Sequence, residues 1–203
     1  MRRRPKVPRE VHAALPLARR ERVLAGALDA SGRWIVATDQ ALHLPLRAGS
    51  DAVPSEQPQA GALPTPSAAR GGERRGDSET PAYRRIAWEQ IERAEWDRDT
   101  DLLRIVETAP LGQRMPVWSL RFQRADDRFL RLIRERITAS VVVDRRVPIR
   151  GRHGVRVIAR RAAQVDAELV WAVAFDEELD PSDPEILAAA EEALAAVRAE
   201  VEP

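Results

Sequence analysis

Asp97, Asp99 and Asp101 alternate within "DRDTD", the spacing with which a calcium-binding loop begins. Such a loop also needs glycine at its sixth position for a sharp turn and glutamate at its twelfth to close the cage, and Leu102 and Thr108 stand there. The aspartates therefore read as a solvated turn balanced by Arg98. The three histidines, His12, His43 and His153, are far apart in the chain, and none belongs to an HExxH or other paired-ligand spacing. No Gly-x-Ser-x-Gly occurs, so the serine nucleophile of an α/β-hydrolase has no sequence support. "GGERRG", Gly71 to Gly76, lacks the lysine of a phosphate loop and follows no strand signal. Lys6 is the only lysine, which argues against Walker-type nucleotide hydrolysis and against Schiff-base chemistry. There is no cysteine, which removes disulfides, thiolate catalysis and Cys-ligated metals. Carboxylate neighbours such as Glu89 and Glu92, or Glu177 and Glu178, could serve as acid and base only if their surroundings separated their pKa values, which spacing does not show. No cofactor and no metal is expected.

Arginine is the residue type with the clearest clustering. Asp144 to Arg161 holds seven basic side chains against one acidic, among them Arg145, Arg146, Arg150, Arg152, Arg156 and Arg160. Asp166 to Pro203 holds twelve acidic side chains against one basic. The chain as a whole is nearly neutral, with 33 Lys and Arg against 32 Asp and Glu. An arginine-rich hairpin can dock an acidic protein surface, or contact phosphates with an affinity that falls steeply with salt. No aromatic residues are interleaved for base stacking, and the acidic C-terminal segment stands ready to neutralise the cluster.

The elements that position these residues follow from periodicity. "RVLAGALDA" ends at a Ser31-Gly32 turn signal, and "RWIVATDQALHLPL" carries the β-rich Trp34-Ile35-Val36, a turn at Asp39-Gln40 and the alternation Leu42, Leu44, Leu46. Three strands in a meander are expected. Residues 47–81 are rich in Pro, Gly, Ser and Ala and almost devoid of large apolar residues, so a disordered insertion between strands is expected there. "RIAWEQIERAEWDRDTDLLRI", residues 85–105, is full of helix formers, yet as one helix its apolar face would be ragged. Divided at Glu89-Gln90 and at Arg98 to Asp101 it gives three pieces of strand length. "MPVWSLRF" alternates with Trp118, Leu120 and Phe122 on one face. An amphipathic helix follows, with Asp126 or Asp127 as N-cap and Phe129, Ile133, Ile137 and Val141 at intervals of four beside Leu132. Beyond it lie a hairpin turning between Gly151 and Gly154 and a strand with Leu169, Trp171, Val173 and Phe175 on one face. A final helix starts at Asp183-Pro184, with Leu187, Ala190, Leu194, Val197 and Val201 as the expected buried stripe.

Seven strands and one closing helix, with Trp88, Glu89, Gln90 and Ile91 leading into the fifth strand, resemble the bacterial pleckstrin-homology-like domains. In that family an aromatic or Pro, Trp, polar, polar, Ile segment occupies this place, and "WIVATDQALHL" is similar to its second and third strands, where a Thr-Asp pair precedes the turn. The resemblance covers residues 21–139 and implies a partly open seven-stranded barrel capped by the helix. Lipid-binding members place several basic residues around the first strand turn; here "DASGR" offers only Arg33, so headgroup recognition is not expected. Trp34, Trp88, Trp96, Trp118 and Trp171 read as core or half-buried sheet residues.

The chain is thus expected to be α+β and mostly β. It has a flexible N-terminal segment at 1–20, a pleckstrin-homology-like domain at 21–139, and a hairpin, strand and helix extension at 140–203. No apolar run reaches the length of a membrane span and no signal peptide is expected, which together with the missing cysteines gives a cytoplasmic reading. The functional expectation is a noncatalytic protein-interaction module that uses Arg145, Arg146, Arg150, Arg152, Arg156 and Arg160. The alternative is nucleic-acid binding by the same hairpin, and a third reading is an enzyme whose site is assembled from scattered carboxylates and arginines.

Overall fold

The computed structural model describes residues 7–46, 82–123, 126–163 and 167–202. The expected disordered insertion at 47–81 lies outside the described residues. Three antiparallel sheets and three α-helices make up what is described, an α+β fold that is mostly strand.

The first sheet is the expected meander, β1 (Val23–Leu28), β2 (Trp34–Thr38) and β3 (Ala41–Pro45), joined by β4 (Tyr83–Ala87) in the order β1-β2-β3-β4. Asp29 fixes its first turn: the carboxylate accepts from the N–H groups of Ser31 and Arg33, both at 2.8 Å, and pairs with the Arg33 guanidinium at 2.7 Å. The ambiguous stretch resolves as divided above, with a one-turn 3-10 helix at Trp88–Gln90 between β4 and β5 (Ile91–Asp97), and a turn before β6 (Leu102–Glu107). Trp88 holds that turn in place, because its indole N–H donates to the Thr38 carbonyl at 3.1 Å while the ring is buried. With β7 (Val117–Arg121) these strands form a second sheet, β5-β6-β7.

The seven strands do not close into a barrel by continuous pairing. The two sheets meet at an isolated antiparallel bridge between Asp29 and Phe122, and Arg84 of β4 clamps them elsewhere. Arg84 donates twice to Glu107 of β6, at 2.7 and 2.9 Å, and lies 4.9 Å from the Trp118 ring centroid. Between the sheets Ile35, Leu42, Leu44, Ile86, Ile91, Leu103, Ile105 and Phe122 form one core. Helix α2 (Asp127–Ser140) closes it with Phe129, Ile133 and Ile137, each at most 7% exposed. Each such side chain contributes about 1.5–3 kcal/mol by leaving water. Asp126 is the N-cap, accepting from the Arg128 N–H at 2.9 Å. Val141, expected on the helix, instead begins the next strand, because the helix ends at Ser140.

The extension forms a third sheet, β10-β9-β8, from β8 (Val141–Arg150), β9 (His153–Arg161) and β10 (Leu169–Phe175). Gly154 is required at its tight end: a Cβ there would meet the Val147 carbonyl oxygen at 2.2 Å. Helix α3 (Pro184–Val201) covers one face of this sheet and is capped by Asp183, which accepts from the Glu185 N–H at 2.9 Å. Its buried stripe is Ile186, Ala190, Ala193 and Val197, rotated from the expected one. Leu194 is only partly buried, Leu187 reaches the Gly112 loop, and Val201 is 36% exposed. The alanines widen the apolar side of the helix so that more than one stripe could face the sheet, and the stripe chosen is turned away from Glu185, Glu191, Glu192 and Arg198. Trp171, Val173 and Phe175 face this second core as expected, whereas Leu169 does not join it.

The N-terminal segment also packs from Val7 onward, contrary to its reading as a flexible tail. Helix α1 (Arg9–Ala14) and Leu15 lie on the outer face of the first sheet, against Val36 and Tyr83. A Cβ on Gly26 would come within 2.6 Å of Val7 and 2.9 Å of the Trp34 ring, so glycine at this position lets the segment cross the strand.

Candidate functional site

Three groups of polar side chains compete as sites. The first was not legible in the sequence: Glu21, Thr38, His43 and Arg85 converge under the N-terminal segment. Glu21 accepts from the Thr38 hydroxyl at 2.5 Å, from His43 Nε2 at 3.0 Å, from Arg85 Nε at 2.9 Å and from the Ala18 N–H at 2.7 Å. Burial alone would raise the Glu21 carboxyl, but these donors outweigh it and hold the group at about 2. His43 is also lowered, since burial disfavours its cation and the Arg85 charge adds to this against the pull of Glu21. The resulting state is a Glu21 carboxylate balanced by Arg85, with a neutral imidazole donating through Nε2. Both the Glu21 and His43 side chains are fully inaccessible, so no substrate reaches them. The cluster fastens the start of β1 and the N-terminal segment to β2, β3 and β4. The signal available was His43 between Leu42 and Leu44: its outward face needed a cover, and "VHAALPL" is an apolar run in search of a surface.

The second group is the arginine hairpin. Arg146 pairs with Asp176 just beyond β10. Arg150 pairs with Asp183 at 3.5 Å and Glu185 at 3.6 Å at the start of α3. Arg156 pairs with Asp144 at 3.1 Å and Glu92 at 3.6 Å. Arg160 is not on the surface at all: it is 3% exposed, donating to the Ile137 carbonyl and the Ser140 hydroxyl at 2.9 Å and to the Glu92 carbonyl at 2.6 Å. It ties β9 to the end of α2 and to β5, and so belongs to the packing between the two parts of the fold. Arg145 and Arg152 are exposed without a carboxylate partner among the described residues. The acidic C-terminal segment thus does take up part of the cluster. His153 adds one more pair, to Glu178 at 3.2 Å, and His12 is exposed on α1.

The third group lies between β1 and α2. A groove of about 880 Å³ runs there, its floor formed by Leu24, Ala25 and Gly26 and its other wall by Arg128, Arg131, Leu132 and Arg136. Besides His12 and Arg22, the groove takes its basic residues from one broad side of α2, where Arg128 lies within about 80° of both Arg131 and Arg136 around the helix axis. None of Arg128, Arg131 and Arg136 has a carboxylate partner among the described residues.

The aspartates of "DRDTD" form a turn: Asp97 accepts from the Asp99 N–H at 2.9 Å and from the Thr100 hydroxyl at 2.7 Å. No group of three or more potential metal ligands is present among the described residues, and no helix among them is long and apolar enough to cross a membrane. Arg33, the one basic residue at the first strand turn, is engaged by Asp29. No family model, no curated protein and no solved structure matches the chain.

Proposed function

We propose that the protein is a noncatalytic protein-interaction module on a pleckstrin-homology-like scaffold. The scaffold reading is supported by the order of the first seven strands, four in one sheet and three in the next, followed directly by α2 over their shared core. The observation that carries the functional reading is the groove beside β1, where partly exposed apolar residues of an edge strand and unpaired arginines share one concave surface. The hairpin first favoured for this role is the weaker candidate, because Arg146, Arg150 and Arg156 already have carboxylates and Arg160 is buried.

A photo-crosslinking side chain placed at Leu24, and separately at Arg145, distinguishes the readings in cells of the native host. Protein adducts from Leu24 in excess of those from Arg145 are expected. Adducts from Arg145 alone return the function to the hairpin, and adducts dominated by nucleic acid overturn the proposal.

A further inference from the structure

The β1 edge has the backbone geometry to accept another strand. The Asp29 N–H donates to the Arg33 carbonyl at 2.8 Å, which sets the phase of the antiparallel ladder. In that phase Ala27 with Ile35 and Ala25 with Ala37 are the hydrogen-bonded pairs, so Gly26 turns its N–H and C=O away from β2. Gly26 lines the groove. Along Val23–Leu28, β2 is the only strand partner of β1 among the described residues. The edge sequence, VLAGAL, carries neither charge nor proline, two of the devices that keep an edge from pairing, and its one protective irregularity is the bulge at its start, which leaves Ala25–Leu28 in regular register. A bulge between Val23 and Ala25 interrupts the ladder at Leu24, which is 37% exposed.

The opposite wall supplies the complementary chemistry. Arg128 and Arg136 are eight residues apart on α2, about 12 Å along its axis. An extended chain covers about 13 Å in four residues, with every second side chain on one face. Carboxylates at alternate positions of a strand laid on β1 therefore match the spacing of the arginines. Of the charged lining residues, Glu21 and Arg22 are engaged by Arg85 and Asp39, which leaves Arg128, Arg131 and Arg136 against Asp126 and Glu135, an excess of one positive charge along the helix wall.

We propose that this groove takes an extended acidic peptide of a partner protein as an added strand on β1, its carboxylates meeting Arg128, Arg131 and Arg136. The inference rests on the interaction-module reading and names the partner's chemistry and mode of docking. Strand addition supplies affinity through main-chain hydrogen bonds and selectivity through alternate side chains. A single-stranded nucleic acid would bring anions at comparable spacing, but the rings lining the groove are Phe129, 1% exposed and unavailable for stacking, and the single imidazole of His12, which offers no platform for successive bases.

The test uses the full chain and fluorescence anisotropy with a labelled peptide of about twelve residues alternating Val and Glu. Two further peptides carry N-methyl groups on one or the other set of alternate amides, a fourth has Lys for Glu, and an oligothymidine of similar length is the nucleic-acid probe. An added strand bonds through one edge only. One methylated peptide is therefore expected to lose tenfold or more and the other to stay within twofold. The Lys peptide is expected not to bind. Arg131→Glu with Arg136→Glu should weaken the Val-Glu peptide at least tenfold, while Arg145→Glu should not. Equal binding of the two methylated peptides overturns strand addition, and continued dependence on Arg131 and Arg136 in that case leaves the interaction-module reading standing. Absence of saturable binding by the Val-Glu peptide, or tighter binding of oligothymidine, overturns the inference itself.

Discussion

Arginines are used in two opposite ways in this molecule. On β8 and β9 they are dense in sequence, yet Arg146, Arg150 and Arg156 reach carboxylates and Arg160 is enclosed by two carbonyls and a hydroxyl at the seam between the two parts of the fold. On α2 they are spread over nine residues, yet Arg128, Arg131 and Arg136 line a groove with no carboxylate partner among the described residues. The density of a charge cluster is therefore a poor guide to its availability. What counts is whether folding brings the opposite charge to it, as Asp176, the start of α3, Asp144 and Glu92 do for Arg146, Arg150 and Arg156 of the hairpin.

The sharpest way to break this contrast is at Arg160. Arg160→Ala should destabilise the fold by about 3 kcal/mol, since it leaves the Glu92 carbonyl and the Ser140 hydroxyl oxygen buried without their donor, the Ile137 carbonyl keeping only the Ser140 hydroxyl. Urea denaturation monitored by tryptophan fluorescence measures this, and a loss below about 1 kcal/mol would mean that the seam does not depend on it.

A buried pair on the other side of the molecule extends the comparison to pH. Glu21 titrates near 4.5 when unfolded and at about 2 in the native state. Its folded pKa is depressed, so its contribution is complete above about pH 5 and is lost as pH falls toward 2, amounting to about 3 kcal/mol in all. Glu21→Gln should lower stability at pH 7 by a similar amount and flatten the dependence between pH 5 and pH 2. If the substituted and parent proteins lose stability in parallel over that window, Glu21 is not the carboxylate responsible.

Much of this architecture could be read from residue types, but the charge pattern could not. The division of residues 85–105 into strands followed from their ragged helical face. Trp88, which the resemblance singled out, proved to hold the turn through its indole N–H. Arg160 was misplaced because strict alternation on β9 assigns it to the polar face with Arg156, although Ile158 on the same face is fully buried. That buried isoleucine was the local sign that a second layer covers the strand there. The groove left no sign, because the openness of an edge is a property of sheet order: VLAGAL reads the same whether one neighbour or two flank it.

Between the buried arginines and the free ones stand the surface pairs. Arg150 is 59% exposed in its side chain, and its distances of 3.5 and 3.6 Å to Asp183 and Glu185 are loose. A double-mutant cycle on Arg150→Ala and Asp183→Ala should return a coupling of about 0.5 kcal/mol, smaller still at high salt. A coupling above about 2 kcal/mol would show that the hairpin and α3 are locked together by charge.

The smallest effect on stability is expected at the groove. Arg131 on α2 is exposed and has no ion-pair partner among the described residues, so Arg131→Ser should change the unfolding free energy by no more than about 0.5 kcal/mol. Its side chain follows Asp127 and precedes Glu135 by four residues, so each of these two electrostatic contributions to the helix is of the order of 0.3 kcal/mol at most. The same measurement on Arg160→Ala gives the opposite end of the scale. Folding that is indifferent to Arg131 while demanding Arg160 would mean that the α2 arginines owe nothing to the fold, which frees them to answer to a ligand. A cost at Arg131 approaching that at Arg160 would place both sets of arginines in the same structural role and remove the contrast from which the groove was chosen.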